Sequence, residues 1–96
     1  MRWQYAVIYE ATTPEARLEL ANRLKEDPGI LSPSRPYSVF TNIGVRGGKA
    51  DFLIIHTPAE LRHTESFKEL RLKIEQRLGP QLMKLLKVHT DLSPEP

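Results

Sequence analysis

The chain has 96 residues, of which 40% are hydrophobic and 27% charged, and these values exclude an intrinsically disordered protein. Its 14 basic and 12 acidic residues leave a net charge of +2, well short of the charge density typical of nucleic-acid binding. The absence of cysteine excludes a disulfide framework, a thiolate metal site and a cysteine nucleophile.

The first predicted elements are a strand and a helix. Residues Trp3–Ala11 are rich in aromatic and β-branched residues, which favours a strand, and both of its faces are apolar in the middle. Thr13 and Pro14 are typical of a helix start, and the run Asp27-Pro28-Gly29 ends the predicted helix. Its inward-facing positions are Arg17, Leu20, Ala21 and Leu24.

A second and a third strand are predicted on either side of a glycine-rich turn. The second strand covers Tyr37–Ile43, and the turn covers Gly44–Lys49. The third strand, Asp51–Thr57, is apolar at alternate positions on both faces, which indicates a central strand.

The last part of the chain predicts a second helix and a fourth strand. Thr57 and Thr64 are both possible helix starts, so a short helical turn before a longer helix is expected, and Gly79-Pro80 ends the helix. Residues Gln81–Leu85 are compatible with either a helical turn or a strand. The fourth strand covers Leu86–Leu92, so the sequence predicts one domain over residues 1–92 and a flexible tail over 93–96.

The element order βαββαβ predicts an α+β fold of the ferredoxin-like sandwich type. Right-handed connections place both helices on one face of a four-stranded antiparallel sheet with spatial strand order 4-1-3-2. Because the first and third strands are apolar on both faces, an uncovered sheet face would be costly. We therefore expect two copies of the chain to pair their sheets as a homodimer, or as a higher even oligomer.

Three short fragments resemble the dimeric α+β-barrel superfamily. They are Asp27-Pro28-Gly29-Ile30, Gly48-Lys49-Ala50-Asp51-Phe52 and Val88-His89-Thr90, which together span most of the chain. They are similar to segments of the ligand-sensing domain of leucine-responsive (Lrp/AsnC-type) regulators, a superfamily that also contains antibiotic-biosynthesis-type monooxygenases. The resemblance implies a ferredoxin-like fold, pairing of sheets and a small-molecule site.

The histidines and aromatic residues are the candidate site residues. The predicted topology gathers His56, His89 and Trp3 at one end of the sheet, where an imidazole could act as an acid, a base or a ligand. The alternative is that the histidines lie at a wet rim and the tryptophan fills the core. Tyr5, Tyr9 and Tyr37 could stack on a flat ligand, or could serve only as bulky strand formers at a dimer interface.

Several other functions are not favoured. The βαββαβ order is shared with the RRM, but the third strand carries one aromatic residue and begins with an acid, so nucleic-acid binding is not expected. Arg46 and Lys49 are interpreted as solvated turn charges, and no metal-ligand spacing or cofactor motif is present. The longest apolar run, without counting tyrosine, is the four residues of Phe52–Ile55, far below the roughly 20 of a membrane span. Without a secretory leader, a cytoplasmic protein is expected.

Three functions remain open at the level of sequence. The first is a small-molecule-binding homodimer, the second a cofactor-independent monooxygenase or isomerase for a small aromatic substrate, and the third an interaction protein without a ligand. The predicted ligand-binding residues are Trp3, Tyr5, Tyr9, His56 and His89.

Overall fold

The computed structural model describes residues 2–44 and 48–95 and shows an α+β fold with one four-stranded sheet. The strands are β1 (Trp3–Ala11), β2 (Ser38–Thr41), β3 (Phe52–Pro58) and β4 (Leu86–Pro94). The helices are α1 (Pro14–Glu26), α2 (Glu65–Leu78) and α3 (Pro80–Leu85), and two 3₁₀ turns cover Pro28–Leu31 and Ala59–Leu61.

The sheet is antiparallel throughout and has the order β2-β3-β1-β4. Read from the opposite edge, this is the predicted order 4-1-3-2, and the arrangement is compatible with the ferredoxin-like fold. The register places Ala6 of β1 between His56 of β3 and Asp91 of β4. It likewise places Ile8 between Ile54 and His89.

Local signals in the sequence determine where the two long helices begin and end. The Thr13 hydroxyl accepts a hydrogen bond from the N–H of Ala16 (3.1 Å), and Thr64 caps α2 in the same way through Phe67 (3.3 Å). Gly79 ends α2 at a φ of +91°, a backbone conformation that glycine adopts without steric cost.

All three helices contribute to one core on a single face of the sheet. The core is formed by buried positions of β1 and β3 together with the inward-facing residues of the helices. Its largest fully buried side chains are Tyr9, Leu20, Leu24, Ile30, Leu53 and Ile55. Phe67 of α2 also lies in this core.

The bounds of β2 and β4 differ from the predicted ones. β2 is shorter because the N–H of Tyr37 donates to Ser34 in a turn, and because the Asn42 side chain bonds Asp51 in place of a strand ladder. Residues 80–85 form a helix. The short 3₁₀ turn before α2 confirms the expected split of that segment. β4 runs to Pro94, past the predicted start of the tail, because the N–H of Glu95 still donates to Arg2.

Two further predictions concern the glycine-rich turn and membrane insertion. Residues 45–47 of the turn, including Arg46, lie outside the described residues. Among the helices of residues 2–44 and 48–95, none is long and apolar enough to cross a membrane.

Candidate functional site

The sheet face opposite the helices is the first candidate surface, and we call it the open face. Side chains alternate along each strand, so one set of positions in β1 and β3 enters the core and the other set lies on the open face. The open-face positions of the four strands are Gln4, Ala6, Ile8, Glu10, Ser38, Phe40, Phe52, Ile54, His56, Pro58, Lys87, His89, Asp91 and Ser93.

The centre of the open face is apolar. Ile8, Phe52 and Ile54 are only half-buried, and Phe40 is 50% exposed. The Phe40 ring lies 5.0 Å from the imidazole of His56, measured between ring centroids. Four large apolar side chains on one uncovered sheet face form a patch of the kind that marks an interaction or ligand site.

A groove of about 450 Å³ lies where the open face meets the start of α1. One wall is apolar and consists of Ile8, Phe52 and Ile54. The other residues of the groove are mostly polar or charged: Glu10, Ala11, Thr12, Arg17, Asp51 and His89. The volume is within the range of small-molecule sites, and the mixed lining suits a ligand with an apolar body and a polar end.

Arg17 and Asp51 form the polar end of the groove. The Nε atom of Arg17 lies 3.1 Å from Oδ1 of Asp51, and each side chain is about one-third exposed. Asn42 orients this carboxylate, because its Nδ2 atom donates to Oδ2 of Asp51 at 2.8 Å. The backbone also joins the two segments, since the N–H of Ala50 donates to the carbonyl of Arg17 (3.2 Å).

His89 and Glu10 form a second polar pair beside the apolar wall. The Nε2 atom of His89 lies 3.7 Å from Oε1 of Glu10, and both side chains are about half exposed. This separation allows an ion pair when the imidazole is protonated. An imidazole next to a carboxylate can also take a proton from a bound molecule or return it.

The structure does not bring the five predicted ligand-binding residues together. His56 and His89 share the open face, but they lie on opposite sides of β1 and are offset by two residues in register. Trp3, Tyr5 and Tyr9 lie on the opposite side of the sheet, because they occupy the other set of alternating positions. The expected gathering of His56, His89 and Trp3 at one end of the sheet is therefore corrected: His89 pairs with Ile8 in the middle of β1.

Tyr9 is completely buried. Its hydroxyl donates to Oε2 of Glu75 at 2.6 Å, and the same oxygen accepts a hydrogen bond from Nε of Arg71 at 3.0 Å. Burial, reinforced by the bond to Glu75, raises the pKa of the Tyr9 phenol above its ordinary value. Tyr5 packs edge-on against the Phe67 ring with a centroid distance of 6.1 Å. Both tyrosines thus have packing roles on the helix side of the sheet.

The remaining two predicted residues differ in their surroundings. Trp3 is 47% exposed and lines a shallow cleft with Arg2, Arg62 and Leu92. On the open face, burial lowers the pKa of His56. The Nδ1 atom of His56 is buried and has no hydrogen-bond partner among the described residues. His56 adjoins a small depression of about 120 Å³.

His89 is the groove residue that the predicted site contains, and the charged groove residues absent from that prediction are Glu10, Arg17 and Asp51. One signal for them is visible in the sequence, since Arg17 occupies the inward-facing stripe of α1, where a charged group needs a partner. That the partner is Asp51 depends on the path of the chain between β2 and β3. Among residues 2–44 and 48–95, no group of three or more histidine or acidic side chains is placed to hold a metal ion.

Comparisons with known proteins provide no relative. No protein-family model, no curated protein and no solved structure matches this chain at a significant level.

Proposed function

We propose that this chain is a small-molecule-binding protein that works as a homodimer, with the open faces of two copies packed together. The observation that carries the proposal is the continuity of an apolar sheet face with a groove that has charged groups at one end. The ligand would lie in this groove, which the second copy would help to enclose.

The size of the open face supports a second copy as its partner. Four strands spaced about 4.8 Å apart, with about seven residues each at about 3.3 Å, cover roughly 20 by 25 Å. Two such faces would bury roughly 1,000 Å² in total, which is the size at which specific interfaces begin. Packed sheets also bury the Phe40 and Ile54 side chains that are half exposed in one copy.

The lining of the groove supports one class of ligand. An aromatic or branched apolar body would rest on Ile8, Phe52 and Ile54. An anionic group at its end would reach Arg17 and His89, whereas a cationic group would reach Glu10 and Asp51, because hydrogen bonds with ionised partners are strongest. A small aromatic acid or amine has this chemistry.

The pair formed by His89 and Glu10 favours one alternative, a cofactor-independent enzyme that moves a proton on the same kind of molecule. The 3.7 Å separation allows Glu10 to stabilise the imidazolium that forms when His89 accepts a proton. In this alternative the bound molecule is turned over, and His89→Gln abolishes turnover more strongly than it weakens binding.

The oligomeric part of the proposal is tested by light scattering at micromolar concentration. The wild-type protein should have twice the 11.0 kDa chain mass, or an even multiple of it. Ile54→Lys should lower that mass, because it places two unpaired charges in the interface. The matched control is Leu72→Lys on the exposed side of α2, which should leave the mass unchanged. A folded wild-type monomer would contradict the proposal.

The ligand part is tested by saturation-transfer NMR with benzoate and benzylamine as probes. We expect at least one probe to bind, and His89→Gln or Ile54→Ala to weaken its affinity about tenfold or more. His63→Gln is the control, because His63 is an exposed histidine outside the groove. A dimer that binds no probe would instead support the third function, an interaction protein without a ligand.

A further inference from the structure

The outer edge of β4 is the longest exposed edge of the sheet. β4 has nine residues and lies at the end of the strand order, whereas β2 at the other end has only four. Every residue from Lys87 to Leu92 is exposed. An edge strand of this length, with no proline before Pro94, is a ready template for another strand.

The backbone groups that point outward from β4 can be assigned from the register. The N–H of Glu95 donates to the carbonyl of Arg2 at 2.9 Å, so the odd-numbered residues of β4 direct their backbone groups toward β1. Antiparallel ladders alternate, so the even-numbered residues direct theirs outward. The outward-pointing backbone groups of the edge therefore belong to Leu86, Val88, Thr90 and Leu92, but the N–H of Leu86 already donates to the carbonyl of Met83.

We propose that two copies of the chain pair antiparallel through β4, with a two-fold axis at His89. In this register Lys87 of each copy lies directly opposite Asp91 of the other. Both residues are at odd-numbered positions, so they form the type of pair whose side chains approach more closely. On the other side of the sheet, Leu86 lies opposite Leu92, and Val88 lies opposite Thr90.

Charge complementarity selects this register over its neighbour. An axis at Thr90 also brings outward-pointing groups together, but it places Lys87 opposite Ser93 and forms no lysine–aspartate pair. A two-fold axis between two residues would place even-numbered residues of one copy opposite odd-numbered residues of the other. Outward-pointing backbone groups would then face residues whose backbone groups point toward β1, and the ladder could not form. The axis at His89 gives two opposite-charge pairs and about six backbone hydrogen bonds, since the N–H of Leu86 is already bonded within each chain.

The pairing would join the four-stranded sheets of two copies into a single eight-stranded sheet, with both open faces on the same side of it. It does not depend on the open-face pairing proposed above, and it would place the grooves of two copies near each other, since His89 lines the groove. If both interfaces form, the assembly contains four chains, and the small open-face interface is reinforced by the second one.

The test uses charge reversal within β4 and light scattering at fixed concentration. Asp91→Lys alone and Lys87→Asp alone each place like charges opposite each other twice, so each should halve the mass of the wild-type assembly. A 1:1 mixture of the two variants restores both opposite-charge pairs and should restore the wild-type mass. Lys73→Asp on the exposed side of α2 is the control for Lys87→Asp, because it makes the same change of charge, and it should leave the mass of the assembly unchanged.

A backbone variant tests the same edge without a change of charge. Thr90→Pro removes an outward-pointing N–H and leaves the ladder to β1 intact, so the chain should keep its circular dichroism spectrum while the mass is halved. The proposal is overturned if the wild-type protein is a monomer, if these β4 variants retain the wild-type mass, or if the mixture does not recover it. Lys87 and Asp91 also lie on the open face, so the two interfaces are separated by Ile54→Lys, which changes only the open face, and by Thr90→Pro, whose side chain lies on the helix side of the sheet.

Discussion

Tyr9→Phe isolates one buried hydrogen bond, because the ring and its packing remain. In the wild-type protein the Tyr9 hydroxyl donates to Glu75 at 2.6 Å, and Glu75 keeps its bond from Arg71 when the hydroxyl is removed. A hydrogen bond to a charged group contributes about 1.5–3 kcal/mol. Because the Glu75 side chain is 28% exposed and stays paired with Arg71, we expect Tyr9→Phe to lower the free energy of unfolding by about 1.5–2 kcal/mol, near the lower end of this range.

The effect should also depend on pH in a defined direction. Burial raises the pKa of Tyr9 in the folded protein above the value of about 10 in the unfolded chain. The stabilisation from Tyr9 is therefore fully present below pH 10, and it is lost as the pH rises above 10, where the unfolded chain releases the proton first. The difference in stability between the wild-type protein and Tyr9→Phe should narrow above pH 10.

Urea denaturation followed by circular dichroism measures both effects, with the protein concentration held fixed because self-association adds to the apparent stability. Tyr37→Phe is the matched control, since the Tyr37 hydroxyl donates to Ser66 in an exposed position (2.8 Å). We expect this control to cost less than about 0.5 kcal/mol. A loss below about 0.5 kcal/mol for Tyr9→Phe at pH 7 would refute the assigned role of the buried hydroxyl.

Three other changes test the core, a helix end and the open face. Phe67→Ala should lower the free energy of unfolding, measured by urea denaturation, by about 3–5 kcal/mol because Phe67 is 2% exposed. Leu72→Ala on the same helix is the control and should lower it by less than about 0.5 kcal/mol, because Leu72 is 57% exposed. Gly79→Ala should cost about 1–3 kcal/mol because the φ of +91° at Gly79 strains any residue with a Cβ, and an unchanged melting temperature would contradict this assignment. Because burial lowers the pKa of His56, the stability of the folded protein should fall as the pH drops below about 6.5. His56→Gln should reduce the change of melting temperature with pH between about pH 5 and pH 7.5. A variant with the same pH profile as the wild-type protein would contradict the role assigned to His56.

The sequence predicts the order and type of the elements well because most of their signals are local. The caps at Thr13 and Thr64 and the stop at Gly79 depend on neighbouring residues only. β2 is the weakest case, because it ends where the Asn42 side chain bonds Asp51, a residue nine positions away. Leu86–Pro94 extends beyond its predicted end for a similar reason, since its last residues pair with the start of β1.

The candidate site is less predictable because it depends on register. Alternation within β1 is visible in the sequence, but which set of side chains faces the helices is a property of the folded sheet. In the folded sheet the odd-numbered residues of β1 face the helices, so Tyr9 is buried and Ile8 and Glu10 lie on the open face. The groove additionally needs Arg17 and Asp51 to meet, which is a contact between residues 34 positions apart and has no local signal.

The most direct test of the paired open faces is an isotope-filtered NOE experiment on a mixture of labelled and unlabelled chains, which detects contacts between copies only. We expect intermolecular NOEs from the methyl groups of Ile8 and Ile54 to the ring protons of Phe40 and Phe52. Intermolecular NOEs confined to other surfaces, with none from Ile8 or Ile54, would contradict the pairing of open faces and the ligand site built on it.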